Sequence, residues 1–200
     1  EKVQTFKCRT VPSNKDSVSY EVYVPYFSDS SPEEWILFLR NLNAAIKGQG
    51  DTTGKKQYVK ARQLLQGSAL ATFEAHVSAT VSHTETSDSF KIALRAVAKD
   101  IFPKRAAQTQ KRYLRRFLRK PSEMTTKRFV ARVVEINNYF EHFPWTEGAA
   151  THPEKLQEDE LLDILEFGCP PRWQKEMVMH DFDSTTATVA EFVEFCKRLE

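Results

Sequence analysis

The sequence has few of the residues on which most catalytic and metal sites depend. Six glycines in 200 residues leave little material for glycine-rich phosphate-binding loops. The three cysteines, Cys8, Cys169 and Cys196, are an odd number without a close pair, so we expect free thiols and a reducing compartment. No Cys-x-x-Cys motif or Cys/His cluster has the spacing of a zinc site. We therefore expect a protein without metal or cofactor.

Long hydrophobic runs are also missing. The apolar runs are far shorter than the ~20 residues that a membrane-spanning helix needs. The first residues, Glu-Lys-Val-Gln-Thr-Phe, lack the apolar core of a signal peptide. Since 40% of the residues are hydrophobic and 28% are charged, the composition is that of an ordinary folded protein, and we expect no membrane contact.

The small net charge of +2 hides an uneven distribution. Residues 104–132 contain eleven Lys/Arg and one acid, Glu123, whereas residues 141–200 contain fourteen acids and five Lys/Arg. Such asymmetry is typical of a polyanion-binding protein or of head-to-tail contact between copies of one chain. A solvated helix face is the simpler alternative.

The beginning of the chain predicts a β-hairpin. Residues 18–26 alternate between apolar and polar side chains, as a strand with one buried face does, and residues 3–8 form a weaker second strand. The polar residues 12–17 between them are typical of a turn. Two strands alone are marginally stable, so we expect this hairpin to pack on another element.

The rest of the chain has apolar residues at helical spacing, interrupted by caps and breakers. Ser31 and Glu34 form a predicted capping box, Pro32 suits the first turn, and Gly48 is the predicted end of the first helix. Further helices are predicted over residues 53–66, 68–77, 90–101, 106–118, 126–140, 158–167, 171–179 and 189–199, the last behind a capping box of Thr188 and Glu191. The pattern breaks near Pro103, where the charge also changes, so we place a domain boundary there.

The residues that could support catalysis have simpler interpretations. The segment Asp51-Thr52-Thr53-Gly54 superficially resembles the aspartic-protease triplet, but the glycine is one place late and a helix cap explains Asp51 or Thr52. Cys169 and His180 could pair as nucleophile and base, but Cys169 before two prolines fits a helix end in the core. An acidic cluster at one helix start complements the helix dipole: Glu158, Asp159, Glu160 and Asp163. We therefore expect no enzyme.

Several motifs follow one another in a characteristic order. The first are Pro32-Glu33-Glu34-Trp35 with Phe38-Leu39, and Leu64-Leu65-Gln66-Gly67-Ser68-Ala69 with Phe73. The next is Leu118-Arg119-Lys120-Pro121-Ser122-Glu123-Met124-Thr125 leading into Phe129. The order is completed by Ile136-Asn137-Asn138-Tyr139-Phe140, Asp159 to Leu165, Pro170-Pro171-Arg172-Trp173 and Phe192 to Glu200. This ordered set resembles the capsid region of Gag proteins from Ty3/gypsy-type retrotransposons, with residues 118–129 similar to the Gag major homology region.

The resemblance implies an all-α fold with two capsid-like helical bundles behind the hairpin. Residues 1–27 would be the arm, 28–102 the N-terminal capsid domain and 103–200 the C-terminal one. The implied function is a structural capsid protein that assembles with itself, through hexamers, pentamers and C-terminal dimers, into a cytoplasmic virus-like particle enclosing RNA. No small-molecule substrate is implied.

Specific contact residues follow from position in this family. The residues similar to the homology region are Lys120, Pro121, Glu123, Phe129 and Arg132, with Glu123 and Arg132 as candidates for a fold-stabilising hydrogen-bonded pair. The helix over 158–167 resembles the dimer helix, which places Leu162 and Glu166 at the interface. Ring contacts are expected off the core face of the first helix, at Arg40, Asn41 and Asn43.

The basic stretch admits two partners. Genomic RNA would bind it through salt-dependent, sequence-independent contacts, and the acidic surface of another copy would bind it as a protein partner. The residues concerned are Lys111, Arg112, Arg115, Arg116 and Arg119. Since Tyr113 and Phe117 have the spacing of core residues, no free aromatic stacking platform is expected.

Two other identities remain open at this point. A domesticated, Gag-derived cellular protein that acts as an adaptor or RNA carrier has the same physical features. A SCAN-like dimerisation module of a transcription factor resembles the second half, but that module has no counterpart to residues 31–101.

Overall fold

The structure is a computed structural model that describes residues 2–79, 84–144 and 153–200. It is mostly helical, with an antiparallel two-stranded hairpin at the N-terminal end, so the predicted helical class and hairpin are confirmed. The chain divides into two compact units, Glu1–Lys104 and Arg105–Glu200, here called the N-terminal and C-terminal units. The hairpin belongs to the N-terminal unit. Over the described ranges, no helix is both long and apolar enough to cross a membrane.

Among its described residues, the N-terminal unit contains the hairpin and four helices. Strands β1 (Val3–Arg9) and β2 (Ser19–Pro25) pair with Phe6 opposite Val22. The helices are α1 (Pro32–Gln49), α2 (Gly54–Leu64), α3 (Gly67–Ala79) and α4 (Ser87–Ile101).

Helix α1 begins as predicted and ends later than predicted. The Ser31 hydroxyl accepts from the Glu34 N–H at 3.3 Å, and the Glu34 carboxylate accepts from the Ser31 N–H at 3.0 Å. Gly50, with φ of 66°, is the left-handed cap, so the predicted end at Gly48 is wrong. Gly48 has a packing role instead, because a Cβ there would lie 2.6 Å from the Cβ of Cys8. The missing side chain allows the hairpin to approach α1 closely.

Aromatic side chains fill the core of the N-terminal unit. Phe27 meets the edge of Trp35 with ring centroids 4.9 Å apart and lies 5.6 Å from Phe38. A second group joins three helices, with Tyr58 of α2 5.5 Å from both Phe73 and Phe90. Such tilted and edge-on pairs stabilise the core beyond their buried area.

The N-terminal unit also contains a buried ion pair. Lys60 of α2 is buried and donates to the carboxylate of Asp51 and to Gln49 Oε1. Its ammonium lies 4.9 Å from the ring centroid of Phe6, so one cation joins the hairpin, the end of α1 and α2. Asp51 is therefore an ion-pair partner. The predicted helix cap at Asp51 or Thr52 is wrong, because Thr53 is the N-cap residue of α2.

The C-terminal unit contains five helices among its described residues. These are α5 (Ala106–Phe117), α6 (Thr126–Tyr139), α7 (Glu158–Gly168), α8 (Pro171–Met179) and α9 (Val189–Lys197), with a short 3-10 helix at Phe140–His142. Helix α6 packs on α9, and α7 contacts both α5 and α9. The predicted capping box of Thr188 and Glu191 begins α9.

A buried amide connects α6 to the segment before α7. The Asn137 side chain donates to the Leu156 carbonyl at 3.0 Å and accepts from the Leu156 N–H at 2.8 Å. The amide thus pairs with both backbone groups of the buried Leu156, which lies outside any helix or strand and so lacks the backbone partners that a helix or strand would supply.

Candidate functional site

The basic block of the sequence forms much of the surface of α5 and the turn after it. Only Leu114 of α5 is buried, so this helix meets the rest of its unit through a narrow stripe. Three of the predicted basic contact residues have a charge or ring contact inside their own unit, and two have none with the residues that the structure describes.

Two of the cations on α5 are held by neighbouring elements. Arg115 donates to the Glu160 carboxylate of α7 at 2.5 Å, and both side chains are partly exposed. The Lys111 ammonium lies 5.4 Å from the ring centroid of Phe140. The basic and acidic regions thus meet inside the unit itself, whereas the contact between copies that the charge asymmetry predicts stays a prediction.

Arg119 is held in a similar way just after α5. Its guanidinium lies 4.4 Å from the ring centroid of Phe167, and one nitrogen donates to the Leu118 carbonyl at 2.6 Å. Phe167 remains about half exposed, so this contact covers only part of the ring.

Arg112 and Arg116 differ, because both are exposed and neither forms an ion pair with any residue that the structure describes. Tyr113 and Phe117 follow them directly in the sequence and are 49% and 64% exposed. The two rings lie side by side, with centroids 6.3 Å apart and planes 31° apart. The expectation that these aromatics belong to a core is therefore wrong, and an exposed aromatic pair stands beside two unpaired arginines.

In the homology-like segment, Lys120 serves the fold. Its side chain is buried, and its ammonium lies 3.6 Å from Glu200 and 5.0 Å from the Trp173 ring centroid. Its backbone N–H donates to the Gly168 carbonyl at 2.8 Å. The turn after α5 is thus connected to the ends of α7 and α9 and to α8.

The other residues of this segment also contribute locally. The Pro121 carbonyl accepts from Met124 N–H at 3.2 Å and closes the turn. Phe129 is buried, and a Cβ on Gly168 would lie 3.3 Å from its ring, so this glycine allows α7 to end against α6.

Glu123 and Arg132 do not form the expected pair. Glu123 accepts from the Ser122 hydroxyl at 2.6 Å, a bond that lowers the pKa of the Glu123 carboxyl. Arg132 donates to Glu135 at 2.8 Å on its own helix. The two residues have separate partners because Glu123 lies in the exposed turn before α6.

The expected dimer contact of Leu162 needs correction. Leu162 is fully buried in its own unit, since α7 contacts helices on two sides and buries more than one apolar stripe. Glu166 is half-buried near the end of α7 and remains a candidate. Phe167 of α7 is 49% exposed, and the most exposed large apolar side chains among the described residues of this unit are Val178 and Met179 at the end of α8, at 74% and 75%.

The expected ring-contact residues lie on α1. Arg40 and Asn43 are exposed and Asn41 is half-buried, so all three lie away from the fully buried positions of this helix. Their contact with another copy remains a prediction.

The residues considered for catalysis are occupied by structural contacts. Cys169 is buried, and its interaction with the neighbouring thiol of Cys196 lowers the pKa of Cys169 and raises that of Cys196. The His180 imidazole lies 3.6 Å from Glu176, and Glu158 accepts from the Val189 N–H at 3.1 Å. Within the described ranges, no group of three or more His, Cys, Asp or Glu could hold a metal ion.

Comparison with protein-family models, curated proteins and solved structures finds no match to this chain. The arguments for its function therefore come from its own sequence and surfaces. The exposed pair of Tyr113 and Phe117 is the feature that sequence reasoning missed. The signal in the sequence was that each aromatic directly follows an arginine in a strongly basic helix.

Proposed function

We propose that this chain is a structural capsid protein of a Ty3/gypsy-like element, which assembles with itself into a cytoplasmic virus-like shell around RNA. The observation that carries the proposal is the exposure of Val178 and Met179. Two adjacent apolar side chains that are about three-quarters exposed form a small apolar surface, and burying this surface against a partner would lower the free energy.

The size of this surface suits a shell. Full burial of a Val or Met side chain contributes about 1.5–3 kcal/mol, so two such residues give a weak contact for each subunit. Weak contacts repeated over many subunits support a closed assembly, whereas an isolated pair of chains stays mostly dissociated.

Charge provides a second, weaker contribution to assembly. Exposed acids on α7, Asp159 and Asp163, belong to the same unit as exposed cations on α5, Arg112 and Arg116. Opposite charges on one unit favour head-to-tail contacts between copies, and the Arg115–Glu160 pair shows one such combination inside the unit.

The test is assembly of the purified chain, followed by light scattering and negative-stain electron microscopy across a range of sodium chloride and sodium sulfate concentrations. Sulfate strengthens apolar contacts, whereas any salt screens exposed charges. We expect particles that become more abundant with sulfate. Only monomers and dimers across all concentrations and salts would refute the capsid proposal.

A matched pair of variants locates the contact. Val178→Ser with Met179→Ser should abolish particles without changing the circular dichroism spectrum, because neither side chain is in the core. Val18→Ser is the control, since Val18 is equally exposed, at 71%, but lies in the hairpin loop. If the double variant assembles as well as the control, this surface does not hold the particle together.

A further inference from the structure

The surface of α5 combines two features that are usually found together on proteins that hold unpaired nucleic acid. Tyr113 and Phe117 are four residues apart, so they share one face of the helix. Arg112 and Arg116 are also four residues apart and form the adjacent strip. Aromatic rings next to a line of positive charge are the combination that binds bases and phosphates of a single strand at the same time.

Each of these side chains is available for a ligand. Among the described residues, Tyr113 and Phe117 have a ring contact only with each other, and the two residues are 49% and 64% exposed. Arg112 and Arg116 have no ion-pair partner in the described part of the chain, unlike Arg115, which is paired with Glu160. Because these four side chains are exposed, they do not belong to the core of their unit.

We propose that α5 binds single-stranded nucleic acid, with bases stacking on Tyr113 and Phe117 and phosphates contacting Arg112 and Arg116. An acidic protein segment would satisfy the arginines but would leave the two rings without a matching group. A duplex would satisfy the arginines only, because its bases are already stacked. The ring pair therefore selects unpaired bases.

This site deepens the proposed function, since a shell that encloses RNA needs a surface that holds it, but it does not require assembly. Binding is measured on the full chain at a concentration and salt where light scattering shows no particles. A failure of binding and a failure of assembly are then seen in separate experiments.

The probes are fluorescent oligo(U) and oligo(dT) of about twelve nucleotides and a duplex of the same length, measured by anisotropy over a range of salt. We expect both single strands to bind at least about tenfold more tightly than the duplex, because stacking is available only to unpaired bases. Tighter binding of oligo(U) than of oligo(dT) would identify RNA as the ligand. Equal affinity would mean that the site contacts only the bases and phosphates, so that it accepts either kind of single strand. A duplex that binds as tightly as the single strands would overturn the proposal.

Two double variants separate stacking from charge. Tyr113→Ala with Phe117→Ala should weaken oligo(U) binding by about tenfold or more and leave the salt slope unchanged, since stacking involves no counterion release. Arg112→Gln with Arg116→Gln should reduce the slope of log K against log salt by about 1.4, at roughly 0.7 for each lost single-strand phosphate contact.

Matched controls use exposed residues of the same types elsewhere. Tyr23→Ala removes an exposed tyrosine of the hairpin, and Lys127→Gln with Arg128→Gln removes two exposed cations at the start of α6. Neither control should change affinity by more than about twofold. Equal losses in the control and test arginine pairs would mean diffuse attraction and no site on α5.

A polyglutamate peptide of the same charge tests the protein alternative. If it competes with oligo(U) at equal concentration, and if the aromatic variant binds it as well as the wild type does, then α5 is an acidic-partner surface and the nucleic-acid proposal is wrong.

Discussion

The buried ion pair of the N-terminal unit provides the sharpest stability test. Lys60→Met removes a cation that donates to Asp51 and Gln49 and lies over Phe6, and it leaves a buried carboxylate without its main partner. Breaking one side of a buried pair costs about 3–5 kcal/mol. We expect the lower end, since Lys56 lies 3.7 Å from the same carboxylate and retains part of the attraction.

The measurement is native-state hydrogen exchange with mass spectrometry, read on peptides from α2, because global unfolding of a chain with two units need not be two-state. Lys60→Met should lower the opening free energy of the most protected α2 amides by about 3 kcal/mol. Peptides from α6 and α9 belong to the other unit and serve as an internal reference.

Two further variants complete the cycle. Lys56→Met is the control, since Lys56 is 65% exposed, and surface pairs contribute about 0–1 kcal/mol. Combining Lys60→Met with Asp51→Leu should recover most of the loss, because replacing both charges by apolar groups is often neutral. A cost below about 1 kcal/mol for Lys60→Met, or a double variant less stable than the single, would refute the argument that an unpaired buried carboxylate is the cause.

Two other properties follow from buried or capping groups. The three cysteines are all buried, and burial raises the pKa of the Cys8 thiol. A thiol-reactive dye should therefore label none of them in the native protein and all three after denaturation. Fast labelling of any cysteine in the native protein would contradict this expectation. The Glu191 carboxylate accepts from the Thr188 N–H at 2.7 Å, and this hydrogen bond lowers the pKa of the Glu191 carboxyl in the folded protein. The cap therefore stabilises the fold fully above pH 4.5, the ordinary pKa of a glutamate, and this stabilisation is lost as the pH falls through the lower pKa of the folded state. Glu191→Gln should therefore lower Tm near neutral pH and have no effect at about pH 2, and an equal decrease at both pH values would rule out the charged cap.

Local signals in the sequence predicted the elements well. The capping boxes at Ser31 and Thr188 mark where two helices begin, and the alternating apolar residues mark the second strand. Such signals depend on residues within one turn of each other, so a single sequence contains them in full.

The surfaces were harder to predict, because burial depends on how many neighbours a helix has. Apolar spacing alone assigns Tyr113 to the core, but one position along a helix is a rotation of about 100°, and α5 is covered only around Leu114. Helix α7 has the opposite arrangement, with neighbours on two sides, so Leu162 is buried although it lies off the main stripe. Lys120 and Glu200 are far apart in the sequence, and their contact has no local signal.

The contact between Phe27 and the helices shows that the arm, residues 1–27, is not a separate module. The Phe27 backbone donates to the Leu64 carbonyl at 3.0 Å and accepts from Gln66 N–H at 2.7 Å, while its ring covers the edge of the fully buried Trp35. A chain shortened to begin at Ser28 would lose both hydrogen bonds and expose the indole. We therefore expect the arm to unfold together with the helices that it contacts, and the fluorescence of Trp35, in a chain whose other two tryptophans are replaced, to report whether the arm is docked.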